Sequence, residues 1–472
     1  MSDAVTIDPT DVEPFLDANR TRRMASYIDF VRIPSVSALP EHAADCRAAA
    51  DWLSRDLVAS GFEHVTVGET GGHPVVYGDW LHADGAPTVI AYGHYDVQPA
   101  DPLELWESPP FDPILRDNRL IARGAEDNKS CVQMHVRAAE ALLQTRGRLP
   151  LNLKLLVEGE EESGSAHLDS WLEAHRDLLR ADVAVISDTD FFEGNRPALC
   201  LGVRGLLQVQ IDVTGPDRDL HSGAYGGAVA NPIQALAAIL DALKGADGRI
   251  HIPRFYDDVV DISPAERAAL ADLPFDEDEF RSSLGVDVLT GEPGYTTLER
   301  KTARPTLDAN GIWGGFSGVG SKTIIPAEAH AKVSCRLVPE QRPDRILQEL
   351  GDHVRRITPP GVHVEVIELG SGLPSLTPID HPATIAAARS IEATFGVAPL
   401  FYRAGGSVPV TASFGDLLGL PVVLMGFAPP DSQAHSPNEW MDLANFETGI
   451  RTIARYWDEL GRLRPEDLRV PS

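Results

Sequence analysis

The stretch Leu151-Asn-Leu-Lys-Leu-Leu-Val157 runs without a break into Glu158-Gly-Glu160-Glu161-Glu162, and this junction constrains the chain most. A short leucine-rich run suits a strand inside a sheet. Four carboxylates in five residues repel one another unless solvent or a cation screens them. A solvated turn and a ligand-holding turn both fit such a run. The carboxyl end of a buried strand is where open α/β sheets place ligands.

Three further runs share the character of that strand: Val75-Val-Tyr, Thr88-Val-Ile-Ala-Tyr and Ala181-Asp-Val-Ala-Val-Ile. Apolar residues three and four apart predict helices over residues 131–143 and 167–179. The same spacing predicts helices over 25–31 and 48–57, the latter closed by Gly61. Alternation of this kind argues for a mostly parallel α/β sheet.

The pattern changes near residue 206. Leu206-Leu-Gln-Val-Gln-Ile-Asp-Val alternates apolar and polar, as a half-buried antiparallel strand does. A helix follows Asn231-Pro232, and alternating strands are predicted over 329–337 and 362–367. Residues 252–310, rich in proline and acid, read as a long, weakly patterned excursion. Beyond about residue 372 the first rhythm resumes, with helices over 383–395 and 445–460 and a strand at Pro421-Val-Val-Leu-Met. The expected architecture is an α/β domain of two pieces, residues 1–205 and 372–472, interrupted by an α+β insertion at 206–371.

Composition narrows the partners. The 472 residues carry 41 Lys+Arg against 70 Asp+Glu, a net charge of −29. Nucleic acid and anionic membrane surfaces, which need a basic footprint, are not expected to bind. No apolar run approaches the roughly 20 residues of a membrane span. The amino-terminal segment lacks the order of a secretory signal. Cys46, Cys131, Cys200 and Cys335 form no CxxC pair, which fits a reducing cytoplasm.

Several predicted strands end in side chains able to hold a hard or borderline cation. Tyr92-Gly-His94-Tyr-Asp96 puts a histidine and an acid two apart, on one face of a strand. An acid so placed can orient a metal-bound imidazole, although for an isolated HxD a plain hydrogen-bonded histidine at a strand end is the commoner case. Arg123-Gly-Ala-Glu126-Asp127-Asn128 precedes a helix, where acids also serve as caps. Ser187-Asp188-Thr-Asp190 and Gln433-Ala-His435-Ser-Pro-Asn-Glu439 complete the series. Together His94, Asp127, Glu162, Asp188 and His435 offer two imidazoles and three carboxylates. That set suits a pair of divalent ions with one carboxylate shared between them.

The segments GHYDVQP, RGAEDNKS, EGEEESGS, SDTD, DLHSGAYGG and AHSPNE, in this order, resemble the M20 family of metallopeptidases. The resemblance spans about residues 20–465 and looks most like the cytosolic non-specific dipeptidase and carnosinase branch. It implies a zinc-dependent exopeptidase-like catalytic domain, with the insertion as a lid and dimerisation domain. It also assigns roles. His94 and Asp188 would bind one metal, Glu162 and His435 the other, and Asp127 would bridge. Asp96 matches the acid that orients the first histidine, and Glu161 the general base. Asn128 stands where the family usually has a second aspartate. His221 matches a histidine that reaches the active site of a second subunit, which implies a homodimer. Arg336, Thr323 and the loop Gly405-Gly406-Ser407 match substrate contacts, the arginine holding the substrate carboxylate.

The implied activity is hydrolysis of dipeptides or short peptides by a water that two divalent ions activate. Zinc is expected from the mixed histidine and carboxylate set, manganese or cobalt fitting the same ligands. A deacylase or desuccinylase of the same family is the alternative. A serine hydrolase is disfavoured by the lack of a GxSxG elbow, and a single-zinc protease by the lack of HExxH.

Overall fold

The computed structural model describes residues 9–406 and 409–469. The chain divides into two compact units. One joins Met1–Leu201, Thr377–Tyr402 and Ser413–Ser472, and the other joins Gly202–Leu376 and Arg403–Ala412.

The first unit is built on a mixed sheet whose middle strands are parallel. Its order is Glu63–Gly68, Val75–Trp80, Asn152–Glu158, Thr88–His94, Val183–Ile186, Val422–Leu424 and Ala198–Val203. The four strands from Asn152–Glu158 to Val422–Leu424 run parallel, and antiparallel strands flank them. Val89, Ile90, Ala91, Leu155 and Leu156 are buried on both faces, which explains why these runs carry no polar alternation. The helix Lys129–Arg146 is buried along most of its length, against the strand Thr88–His94 and the helix Leu443–Leu460. The helix Ala43–Ser60 stops at Gly61, whose φ of +98° is the left-handed closure glycine makes at least cost. The four cysteines are free and buried.

The second unit holds a four-stranded antiparallel sheet in the order Thr306–Gly314, Glu328–Leu337, Gly205–Thr214 and His363–Gly372. Leu207, Val209, Ile211 and Val213 point inward and are buried, while Gln208 and Thr214 stay exposed. The helices Pro232–Leu243 and Pro343–Ile357 cover that inner face. Thr306–Gly314 is an edge strand, with a sheet neighbour on one side only among the described residues. It exposes Ile312 and Trp313, 58% and 44% accessible.

Two expectations change. The helix predicted over 167–179 forms only at Leu168–Ala174. The His175 ring stacks on Trp171 and its Nδ1 shares the Trp171 carbonyl with the backbone, so the chain turns there. Residues 252–310 are folded, with short helices at Pro264–Ala271, Glu277–Ser283 and Thr297–Thr302 and the edge strand beginning at Thr306. Capping boxes at Ser263/Glu266 and Thr296/Glu299 start two of these helices.

Candidate metal centre

The parallel strands of the first unit lead to His94, Glu162, Asp188 and, through a longer loop, His435, while Asp127 stands just before the helix Lys129–Arg146. His94 ends the strand Thr88–His94 and is fully buried. Its Nδ1 lies 3.1 Å from the Asp96 carbonyl and 3.4 Å from Asp96 Oδ1. Its Nε2 lies 3.1 Å from Asp127 Oδ1 and 4.0 Å from Asp188 Oδ1, yet makes no hydrogen bond. A buried ring nitrogen without a hydrogen-bond partner, facing two carboxylates, is what a cation between them would complete.

Asp127 faces two ways. His435 Nε2 lies 3.0 Å from its Oδ2 and 3.2 Å from Glu162 Oε2. His94, Asp127 and Asp188 form one group, and Asp127, Glu162 and His435 a second; within each group one ligand atom per residue lies within 4.8 Å of the others. Asp127 belongs to both. The donors suit divalent ions such as zinc, manganese or cobalt.

Neighbouring groups hold these side chains. Glu162 sits in a tight turn after the strand Asn152–Glu158, and its Oε2 accepts from Gln98 Nε2 at 2.8 Å. Asp96 Oδ2 accepts from the Glu162 N–H at 3.1 Å, so one acid touches both loops. Asn128, joined to Asp127 by a cis peptide, donates to the Ser187 carbonyl at 3.1 Å and to Asp188. This close approach needs Gly93, where a Cβ would lie 2.7 Å from Val132 and 2.9 Å from Asn128 Oδ1. His435 lies in a loop where Gln433, His435 and Asn438 all have φ near +60°. Three non-glycine residues held there mark a loop kept in a costly shape by its surroundings.

The acidic run after Val157 separates by contact. Glu158 accepts from Tyr92 at 2.5 Å and from Ser165 at 2.9 Å, and Glu160 pairs with His167 at 2.9 Å. Glu162 reaches His435 and Gln98, and Glu161 feels the charges of His94, Asp188 and Asp127. Burial first, then the charges of Asp188, Glu162 and Asp127 against the pull of His94, push Glu161 up to about 8. Burial and Asp127 push Asp188 to about 6. Hydrogen bonds to Asp127 and Glu162 raise His435 to about 10. Burial acts against a charge on His94, but the Asp127 and Asp96 carboxylates outweigh it and raise that ring well above its usual value. Burial likewise opposes ionisation of Asp127, and His435 and His94 reverse it. Without cations the centre keeps positive charge on its histidines.

His221, Thr323, Arg336, Gly405 and Gly406 lie in the second unit; Ser407 lies outside the described residues. His221 pairs in a two-residue ladder with Ile324, and the N–H of Ser222 donates to the Thr323 carbonyl. The exposed His221 ring accepts from the Gly223 N–H through Nδ1. Arg336 lies on the strand Glu328–Leu337, opposite Thr306 and Leu206. Arg204 donates to the Gly405 carbonyl at 2.9 Å, and its N–H to the Gly406 carbonyl at 3.1 Å. Burial and the Arg336 charge lower Arg204 to about 10. Two guanidinium groups and a glycine loop thus adjoin within this unit, and Arg204 carries no motif signal that points to it.

The model of Peptidase family M20/M25/M40 matches residues 90–459. The chain is 34% identical to the Cys-Gly metallodipeptidase dug1 of Schizosaccharomyces pombe over 83% of its length and 84% of that protein. It is 32% identical to the Beta-Ala-His dipeptidase of Homo sapiens, covering 80% of this chain and 75% of that one. Among solved structures, the M20 family metallo-carboxypeptidase Sso-CP2 from Sulfolobus solfataricus superposes with a TM-score of 0.78 at 31% identity. That alignment covers 93% of this chain and 99% of the other.

Proposed function

The chain belongs to Peptidase family M20/M25/M40, and on that footing we propose that it hydrolyses the peptide bond of dipeptides or short peptides. The observation that carries this reading is Asp127, shared between the His94/Asp188 group and the Glu162/His435 group. Relatives named as dipeptidases, for Cys-Gly and for β-Ala-His, support the substrate class.

His94 and Asp188 would hold one divalent ion, Glu162 and His435 the other, and Asp127 both. When bound, such ions supply Lewis acidity and bring a water's pKa near neutrality. Glu161, beside Glu162 in the same turn, is the general base. It takes the proton from the attacking water and returns it to the departing amine. Asp96 orients His94. Arg336, with Arg204 beside it, would hold the substrate's free carboxylate, since a guanidinium pairs with a carboxylate through two parallel hydrogen bonds. Thr323 and the loop at residues 405–407 would complete that pocket. His221 would reach the active site of a second copy and stabilise the oxyanion there.

The homodimer reading is supported by the edge strand Thr306–Gly314, whose Ile312 and Trp313 are exposed, and by Ile233 beside Gly315. An edge of this kind is a template for pairing with another chain. No helix of the described residues is long and apolar enough to cross a membrane. Four free buried thiols suit a reducing cytoplasm.

A panel of dipeptides, including Cys-Gly and β-Ala-His, tested against acetyl and succinyl amino acids with defined metals decides the reading. Turnover of the dipeptides with zinc, manganese or cobalt supports it. Turnover confined to the N-acyl substrates would establish the deacylase alternative.

A further inference from the structure

Glu439 is fully buried, and both oxygens of its carboxylate are engaged by the loop that carries Asp127. Oε2 accepts from Arg123 Nη1 at 2.7 Å and from the Gly124 N–H at 3.0 Å. Oε1 accepts from the Glu126 N–H at 2.8 Å and from the Asp127 N–H at 3.1 Å. The Glu439 carbonyl in turn accepts from the Ala122 N–H at 3.0 Å. The backbone amides of Ala122, Gly124, Glu126 and Asp127 therefore converge on one side chain and its own carbonyl. Four residues earlier in Glu439's segment stands His435, which reaches Asp127 and Glu162. A single carboxylate thus ties the loop bearing the shared ligand to the loop bearing a second ligand.

A fully buried Arg–Glu pair adds little to stability over an apolar pair of similar shape, because desolvation offsets the attraction. Its best-attested use is to fix one geometry among several. Here the geometry fixed is that of the peptide entering Asp127, whose two oxygens must face different partners.

We propose that Glu439 is a positioning residue for the metal centre: it sets Asp127 so that this carboxylate can serve both ion positions at once. The inference rests on the two-ion reading above. Because Asp127 is common to both groups, loss of Glu439 weakens both ions together, unlike the loss of a residue that supports one group.

The test is Glu439→Gln. The amide keeps the shape but turns an N–H₂ toward donors on one side, whichever way it lies. Metal content and stepwise zinc affinity are measured by chelator competition, well below the melting temperature, beside the wild type. Cobalt absorption spectra report ligand geometry independently of turnover. Both zinc affinities are expected to fall about 10- to 100-fold, the usual effect of removing a group that orients a ligand, with an altered cobalt spectrum. A lower melting temperature with both affinities and the cobalt spectrum unchanged would make Glu439 merely structural and overturn the inference. Weakening of only one ion would overturn it as well. Should Glu439→Gln not fold, Glu439→Asp, which keeps the charge but is a methylene short, is measured with the same criteria. A wild type that takes up no divalent ion overturns the two-ion reading, and this inference with it; equal binding by wild type and variant removes this inference alone.

Discussion

Asn128 donates from Nδ2 to Asp188 Oδ1 at 2.7 Å, so the residue after the carboxylate common to both groups holds the Asp188 side chain in place. An amide can donate to Asp188, which an ionised aspartate at the same position cannot do. Asn128→Ala removes that donor and its bond to the Ser187 carbonyl, both on the segment that carries Asp188. One of two bound ions is expected to weaken about tenfold, with the other unchanged. Stepwise titration with a chelator checks this.

Glu161 is raised by burial and by its carboxylate neighbours, and it sits beside Glu162 without a place in either ligand group. Glu161→Gln is expected to lower kcat for a dipeptide about 10²- to 10⁴-fold at full metal occupancy. Elemental analysis together with single-substrate kinetics separates lost chemistry from lost metal. A metal-replete variant with wild-type turnover would remove Glu161 from the base role.

The metal-free centre carries a pH dependence of definite sign. His435 titrates near 10 in the folded chain, above the usual 6.5, because it bonds to Asp127 and Glu162. The stabilisation this gives the metal-free protein is complete below about pH 6.5 and is lost as pH rises through 10. A cation must displace that proton, so divalent affinity rises with pH, about tenfold per unit for each proton released. Calorimetric titrations in buffers of different ionisation enthalpy count the protons.

In the second unit the charge of Arg336 disfavours that of Arg204. A substrate carboxylate bound nearby would relieve that effect. Arg336→Ala is expected to raise KM for dipeptides roughly 10- to 100-fold, the worth of a hydrogen-bonded charge pair. A dipeptide amide, which lacks the carboxylate, should bind equally to both proteins. Equal loss for the acid and the amide would argue against carboxylate recognition.

Trans action by His221 has a stoichiometric signature. Glu161→Gln and His221→Ala chains, each inactive alone, are mixed, unfolded and refolded together. Half the dimers are then mixed, and each mixed dimer regains one intact site, so about a quarter of wild-type activity returns in a twofold assembly. Activity no greater than the sum of the parents would place His221 with its own chain's site, or outside catalysis.

The strand ends were legible because each announces itself locally. An apolar run such as Thr88–His94 stops at a side chain that no buried strand would carry without a partner. Convergence of His94, Glu162, Asp188 and His435 follows from parallel order; Asp127, just before a helix, joined the group by its chemistry alone. Glu439, Gln98 and Arg204 were not legible, since each acts on a residue distant in sequence through contacts only the fold creates. The helices within 252–310 escaped for another reason. They are six to eight residues long, too short for a hydrophobic period to show, although Ser263/Glu266 and Thr296/Glu299 have the spacing of capping boxes. The helix expected to extend to residue 179 failed where a histidine side chain competed with the backbone for one carbonyl.

His435 comes from the piece of the first unit that follows residue 413, whereas Asp127 and Glu162 come from the piece that precedes residue 201. A cation held among these three would act as a clasp across the seam of a discontinuous unit. Chelation would then loosen more than the candidate centre. It would weaken the fastening of the piece after residue 413, and hydrogen exchange is expected to quicken first along that seam, in the loop around His435, while the central strands stay closed.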